Sequence, residues 1–158
     1  MKIMSLLALV TVFISGCDLV NTKSTEKLIP VFTLTDTTGQ VSRTFHPGEN
    51  FVMSYSMINT TSFTLDYYSS QPPVIFQILR NDSVIASSID GYSFTQDATR
   101  RYLMPDSVLK ATWKAPTTPP QFPKVILTPG SYEAKVVFIG FNQVKVESVP
   151  GIVISVSR

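Results

Sequence analysis

Apolar and polar positions alternate along most of this chain with a period of two, which belongs to strands rather than helices. Phe51, Met53, Tyr55 and Met57 alternate with Val52, Ser54, Ser56 and Ile58. Leu109, Ala111 and Trp113 alternate with Lys110, Thr112 and Lys114. Each set predicts a strand with one buried face. The same rule turns Tyr132, Ala134, Val136 and Phe138 inward and Ser131, Glu133 and Lys135 outward. That strand follows Thr128-Pro129-Gly130: Pro129 presets a turn angle and Gly130 accepts a positive φ, so the chain reverses before Tyr132 enters the core.

The rest of the chain supplies partners for these strands. Leu28 to Leu34 predicts a first strand, confined to a sheet edge by Pro30. Asp36 to Gly39 turns it, Val41 to Phe45 continues the edge, and His46 to Asn50 is a loop. After a turn at Asn59-Thr60-Thr61, Phe63, Leu65 and Tyr67 line a strand against Thr64 and Asp66. Val74 to Leu79 is apolar almost throughout, as in a strand covered on both faces, and Asn81-Asp82 turns it into Val84-Ile85-Ala86. Asp90 to Met104 reads as polar and irregular, and Ala115 to Thr128 as the longest loop. The final strand is expected over about Val144 to Val156, bent at Pro150-Gly151.

No apolar period of 3.6 residues survives past the N-terminal segment. The fold class is therefore all-β: an immunoglobulin-like Greek-key β-sandwich of roughly seven to nine strands. Tyr132, just after its turn, resembles the tyrosine corner of such sandwiches.

The N-terminus belongs to a different category. Met1-Lys2 gives a basic start, Ile3 to Ile14 is nearly all apolar, and Ile14-Ser15-Gly16-Cys17 ends in small residues before the chain's one cysteine. This resembles the lipobox of bacterial lipoproteins, which implies cleavage before Cys17 and lipidation of that residue. The alternatives are a secretory peptide cut elsewhere and a short uncleaved anchor. The apolar run falls short of the about 20 residues that span a bilayer. The expected organisation is a signal peptide over 1–16, a flexible tether over 17–27 and a sandwich domain over 28–158. The expected place is the bacterial cell envelope, at a membrane held through lipid.

Charge and side-chain chemistry narrow the function classes. Thirteen Lys and Arg against eleven Asp and Glu leave a near balance, which argues against a nucleic-acid partner. His46 is the single histidine and sits in a Pro-Gly turn, so a Ser-His-Asp set would depend on a residue that reads as an exposed loop histidine, which argues against catalysis of that kind. No spacing of Cys, His and carboxylates suits zinc, and no alternating Asp and Asn run suits calcium. The acids, Asp66 among them, are read at turns or on solvent faces. No cofactor, metal or small-molecule substrate is expected. Arg100-Arg101 reads as solvated, and Tyr67, Tyr68, Tyr92, Phe94 and Phe122 read as sandwich core more than as a recognition surface. The loop from Ala115 to Thr128 holds four of the eleven prolines, so ordering it in a partner's cleft costs less entropy. Thr117, Thr118, Pro119, Pro120, Gln121, Phe122 and Pro123 are the expected protein-contact loop, with Asp90 to Arg101 as a second contact segment.

Tyr55 to Thr61, the Val74 to Ile85 hairpin, Phe94-Thr95-Gln96, Leu103-Met104-Pro105 followed by Trp113, and Leu127 to Tyr132 are short motifs. Together they resemble the intracellular proteinase inhibitor (BsuPI-like) family. The chain departs from that family at Ile85, where the family often has tryptophan, and at Pro105-Asp106-Ser107, where it has Pro-Gly-Glu. The resemblance implies an immunoglobulin-like domain. The expected function is a lipid-anchored, non-enzymatic protein that binds another protein, a protease being one such partner. The alternative is a structural or assembly module acting by strand or surface contact.

Overall fold

The alternating segments pair as their periods require. A computed structural model describes residues 28–69, 71–95, 97–120, 122, 125–138, 140–142, 146 and 148–157. The expected signal peptide (1–16) and tether (17–27), Cys17 included, lie outside the described residues. The described residues form ten strands and no helix: β1 (Leu28–Thr35), β2 (Thr44–Phe45), β3 (Phe51–Asn59), β4 (Leu65–Ser69), β5 (Val74–Arg80), β6 (Ser83–Ser87), β7 (Thr99–Leu103), β8 (Val108–Ala115), β9 (Gly130–Phe138) and β10 (Ile152–Val156).

Three sheets result, with orders β1-β3-β8, β2-β10-β9-β5-β6 and β4-β7. Set against the immunoglobulin plan, β1, β3 and β8 take the places of strands A, B and E. In the facing sheet β10, β9, β5 and β6 take those of G, F, C and C′. The chain is thus an all-β sandwich of this type. Its first strand is split: β2 leaves β1 and pairs in parallel with β10, Ser155 opposite Thr44.

The core lies between the two larger sheets. Phe45 of β2 stacks on Phe51 of β3 with ring centroids 4.4 Å apart, Phe32 meets Phe76 at 6.3 Å, and Tyr55 meets Phe138 at 6.4 Å. Met53, Met57, Ile78, Ala134 and Ile154 are fully buried between them. Each large side chain so buried stabilises the fold by about 1.5–3 kcal/mol. The β5–β6 turn has Asn81 at φ 51° and Asp82 at φ 61°, the backbone twist that two-residue hairpins favour. Asp36 closes the turn after β1, its Oδ1 accepting from Thr38 N, Thr38 Oγ1 and Gln40 N at 2.7–2.9 Å. Asn59 is fully buried and clasps two turns. Its Nδ2 donates to the carbonyls of Phe63 and Leu103, each at 3.0 Å, and its Oδ1 accepts from Thr61 N and Oγ1.

Four expectations are corrected. Val41 to Phe45 does not continue the edge: Val41 makes one isolated bridge to Thr35, and β2 crosses to the other sheet. The segment from Asp90 to Met104 is not irregular throughout, because β7 forms within it and pairs with β4. Val144, where the last strand was expected to begin, lies outside the described residues; among the described residues that strand runs over β10 alone, so Pro150-Gly151 precedes it, with Gly151 packed against Glu133. Phe63 lies before β4 and is exposed, and Asp66 on β4 is buried, so the faces differ from the alternation read.

Candidate functional site

The loop after β8 is braced from beneath by the chain's single tryptophan. Trp113 faces inward by strand alternation, and its indole Nε1 donates to the Thr117 carbonyl at 3.2 Å. The Thr117 hydroxyl donates back to the Lys114 carbonyl, and Phe122 N donates to the Pro119 carbonyl at 2.9 Å. The loop enters through a cis Ala115–Pro116 bond. Of the expected contact residues, Thr117, Thr118 and Pro119 are half-buried, while Pro120 and Phe122 are exposed. Gln121 and Pro123 lie outside the described residues.

The second expected contact segment meets the first. Ser87 N donates to Asp90 Oδ2 at 2.7 Å and Tyr92 N to the Ile89 carbonyl at 3.1 Å, so the chain turns tightly after β6. Gly91 sits in that turn at φ 78°, and a Cβ there would lie 2.5 Å from Cδ2 of the Phe122 ring. The ring therefore rests directly on the glycine backbone. Tyr92 and Phe94 follow with ring centroids 6.4 Å apart. Tyr68, Tyr92, Phe94 and Phe122 are all exposed, and only Tyr67 among the five aromatics read as core is buried.

Two adjoining grooves run from this surface along β8. One of about 520 Å³ lies between Tyr67 and Arg101 of the β4–β7 ribbon, Leu109 and Lys110 of β8, and Phe94. The other, about 320 Å³, lies between Val74 and Phe76 of β5, Ala111 to Trp113, and Tyr92. Both include Pro72 and Phe94 in their walls.

An ion pair fixes the ribbon that forms one wall. Arg100 Nε donates to Asp66 Oδ2 at 2.8 Å, and Asn142 Nδ2 donates to the same oxygen at 3.3 Å. The Arg100 hydrogen bond, with help from Asn142, holds the Asp66 carboxyl below the usual carboxylate range. The guanidinium lies 5.8 Å from the Tyr68 ring centroid and 5.3 Å from that of Tyr102. Arg100 is thus committed to the ribbon, whereas Arg101 faces the larger groove. Burial pushes the Tyr67 hydroxyl up, with Arg101 opposing the shift.

Sequence reasoning named two expected contact segments, of which Asp90 to Arg101 lines both grooves, but did not foresee the walls that β4, β5 and β8 supply. The alternation of β8 marked Leu109 and Trp113 as inward. Nothing in the pattern marked β8 as the last strand of its sheet. His46 is exposed in its turn, its backbone N–H donating to Glu49 Oε2 at 2.7 Å. Among the described residues, no group of three or more His, Cys, Asp or Glu is placed to hold a metal ion. No described helix is long and apolar enough to cross a membrane. Compared with known proteins, the chain matches no family model and no curated protein.

Proposed function

We propose that residues 28–158 form a non-enzymatic binding domain, held at a bacterial envelope membrane through a lipidated Cys17, which works by contact with another protein. The observation that supports this reading most is the seating of Phe122 on Gly91, which joins the two contact segments into one exposed aromatic surface. Aromatic side chains on a pre-ordered backbone lose little entropy on binding and are frequent anchors of interfaces. The Trp113 and Thr117 hydrogen bonds supply that order.

The narrower reading makes the partner a protease. It draws on the BsuPI-like resemblance and on the braced, proline-rich loop, since a loop already held in one conformation enters a cleft at lower entropic cost. Photo-reactive residues at Tyr92 and Phe122, introduced one at a time in the native envelope, test the general reading. Both positions should give the same discrete protein adduct, and a control position at Val153 should not. Equal adducts at all three sink it. The protease reading is tested by adding the purified domain at micromolar concentration to a panel of serine proteases, where unchanged rates rule it out. Cys17→Ser tests the anchor and should move the protein from the membrane fraction to the soluble one.

A further inference from the structure

We infer that the partner is gripped by strand addition: an extended, acidic segment pairs with the free edge of β8 and fills the groove beside it. This deepens the protein-contact reading and rests on it. The first observation is the state of the sheet edges. In the immunoglobulin plan a strand D, placed between C and E in the chain, lies beside E. Here β7 holds that place in the chain, yet it pairs with β4, and among the described residues β8 pairs with β3 alone. An unpaired edge presents main-chain N–H and C=O groups to any extended chain that reaches it.

Other edges are poorer templates. β1 carries Pro30, which lacks an N–H, β2 has two residues, and β6 has five. β8 has eight residues, no proline, and grooves running beside it from Leu109 to Trp113. The grooves offer apolar contacts from Tyr67, Phe94 and Val74 to alternate side chains of an added strand.

Charge selects the occupant. Arg101 and Lys110 line the larger groove, with Asp97 as the acid among its walls, and Lys114 lies on the same outward row of β8 as Lys110. An antiparallel pair of two β8 edges centred on Thr112 would set Lys110 directly opposite Lys114, and like charges so placed are destabilising. A strand carrying acids at those positions meets no such repulsion. The edge therefore disfavours a second copy of this chain and admits an acidic partner.

Two synthetic octapeptides test this with the full chain: one alternating valine and glutamate, the other valine and lysine. Amide hydrogen exchange maps the contact, and the fluorescence of Trp113, the single tryptophan, reports affinity. The glutamate peptide should bind and slow exchange across 108–115. Joint Lys110→Glu and Lys114→Glu substitution, at exposed positions and checked for an unchanged circular dichroism spectrum, should shift preference toward the lysine peptide by at least about tenfold. Binding that slows exchange only over 90–95 and 117–122 overturns strand addition and leaves the protein-contact reading standing. Failure of both peptides to bind overturns it too. So does concentration-dependent protection of 108–115 without peptide, which identifies a second copy as the occupant. The envelope crosslinking test judges the broader reading independently of these peptides.

Discussion

The Tyr132 hydroxyl donates a 2.8 Å hydrogen bond to the main-chain carbonyl of Thr128, four residues upstream. Arg80 closes the arrangement from β5: one guanidinium nitrogen donates to Thr128 Oγ1 at 3.0 Å, and the guanidinium carbon lies 5.3 Å from the Tyr132 ring centroid. This is the tyrosine-corner geometry of Greek-key sandwiches. It ties the long loop after β8 to the start of β9, the strand between β10 and β5. Ala134, two residues on and fully buried, stands where antibody domains carry the second cysteine of their disulfide.

The corner makes two tyrosine-to-phenylalanine changes diverge. Tyr132→Phe removes this part-buried hydrogen bond and should lower stability by about 0.5–1.5 kcal/mol in urea titration. Tyr55 is also buried, but its hydroxyl reaches only Met57 Sδ at 3.5 Å. Tyr55→Phe should stay within about 0.5 kcal/mol at neutral pH. Burial pushes the Tyr55 hydroxyl up to about 12 from 10.0. The folded state therefore keeps a proton that the unfolded state releases above pH 10, so stability falls as pH rises from about 10 to about 12. That fall should shrink in Tyr55→Phe, and an unchanged alkaline profile would count against this origin.

Asn59 joins the turn after β3 to the turn before β8. Besides its side-chain bonds, its backbone N–H donates to the Ser107 carbonyl at 3.1 Å, and its carbonyl accepts from Asp106 N at 2.8 Å. Asn59→Ala takes the Nδ2 donor from the buried Leu103 carbonyl and the part-buried Phe63 carbonyl, and takes the Oδ1 acceptor from buried Thr61. A loss of about 2–4 kcal/mol is expected from chemical denaturation. Stability within about 1 kcal/mol of the parent protein would mean that water replaces the amide there.

How much of this was legible in the sequence depended on whether a pattern was local. The strands β3, β8 and β9 follow from their alternation, β5 from its nearly continuous apolar run, and the hairpin from Asn81-Asp82. β7 escaped notice because Thr99, Arg100, Arg101 and Tyr102 are all exposed, so pairing with β4 makes it a strand and no apolar face announces it. Asp66 escaped for a related reason. A carboxylate on a strand reads as outward, and the arginine that permits its burial lies 34 positions away. At the candidate site both contact segments were legible as turn-rich loops. Their meeting was not, since it depends on one glycine admitting one ring across the fold.

Asp66 should make the domain sensitive to acid. Its carboxyl is held below the ordinary range chiefly by Arg100, so the stabilisation is complete above the unfolded-state value of about 3.9 and is lost as pH falls through the lower folded value. Asp36, lowered by its bonds to Thr38 and Gln40, acts in the same direction. Urea midpoints measured from pH 6 down to pH 2 should fall, and Asp66→Asn should flatten part of that fall while lowering the midpoint at pH 6. A variant that keeps the full acid dependence would remove Asp66 from its cause.

The contact of Phe122 with Gly91 predicts a coupling that neither residue shows alone. Gly91→Ala adds a Cβ at a positive φ and drives it into the ring, so it should destabilise the domain by about 1–2 kcal/mol. Phe122→Ala removes an exposed ring and should do less by itself. In the double variant the collision disappears while the backbone strain remains, so the combined loss should fall short of the sum of the two single losses by about 0.5–1 kcal/mol. The same pair can be read through crosslinking: a partner that contacts the joined surface should be captured less well from Tyr92 in Gly91→Ala, where the ring has left its seat. Strict additivity in stability, with undiminished capture, would separate the two segments and with them the surface on which the proposed interaction depends.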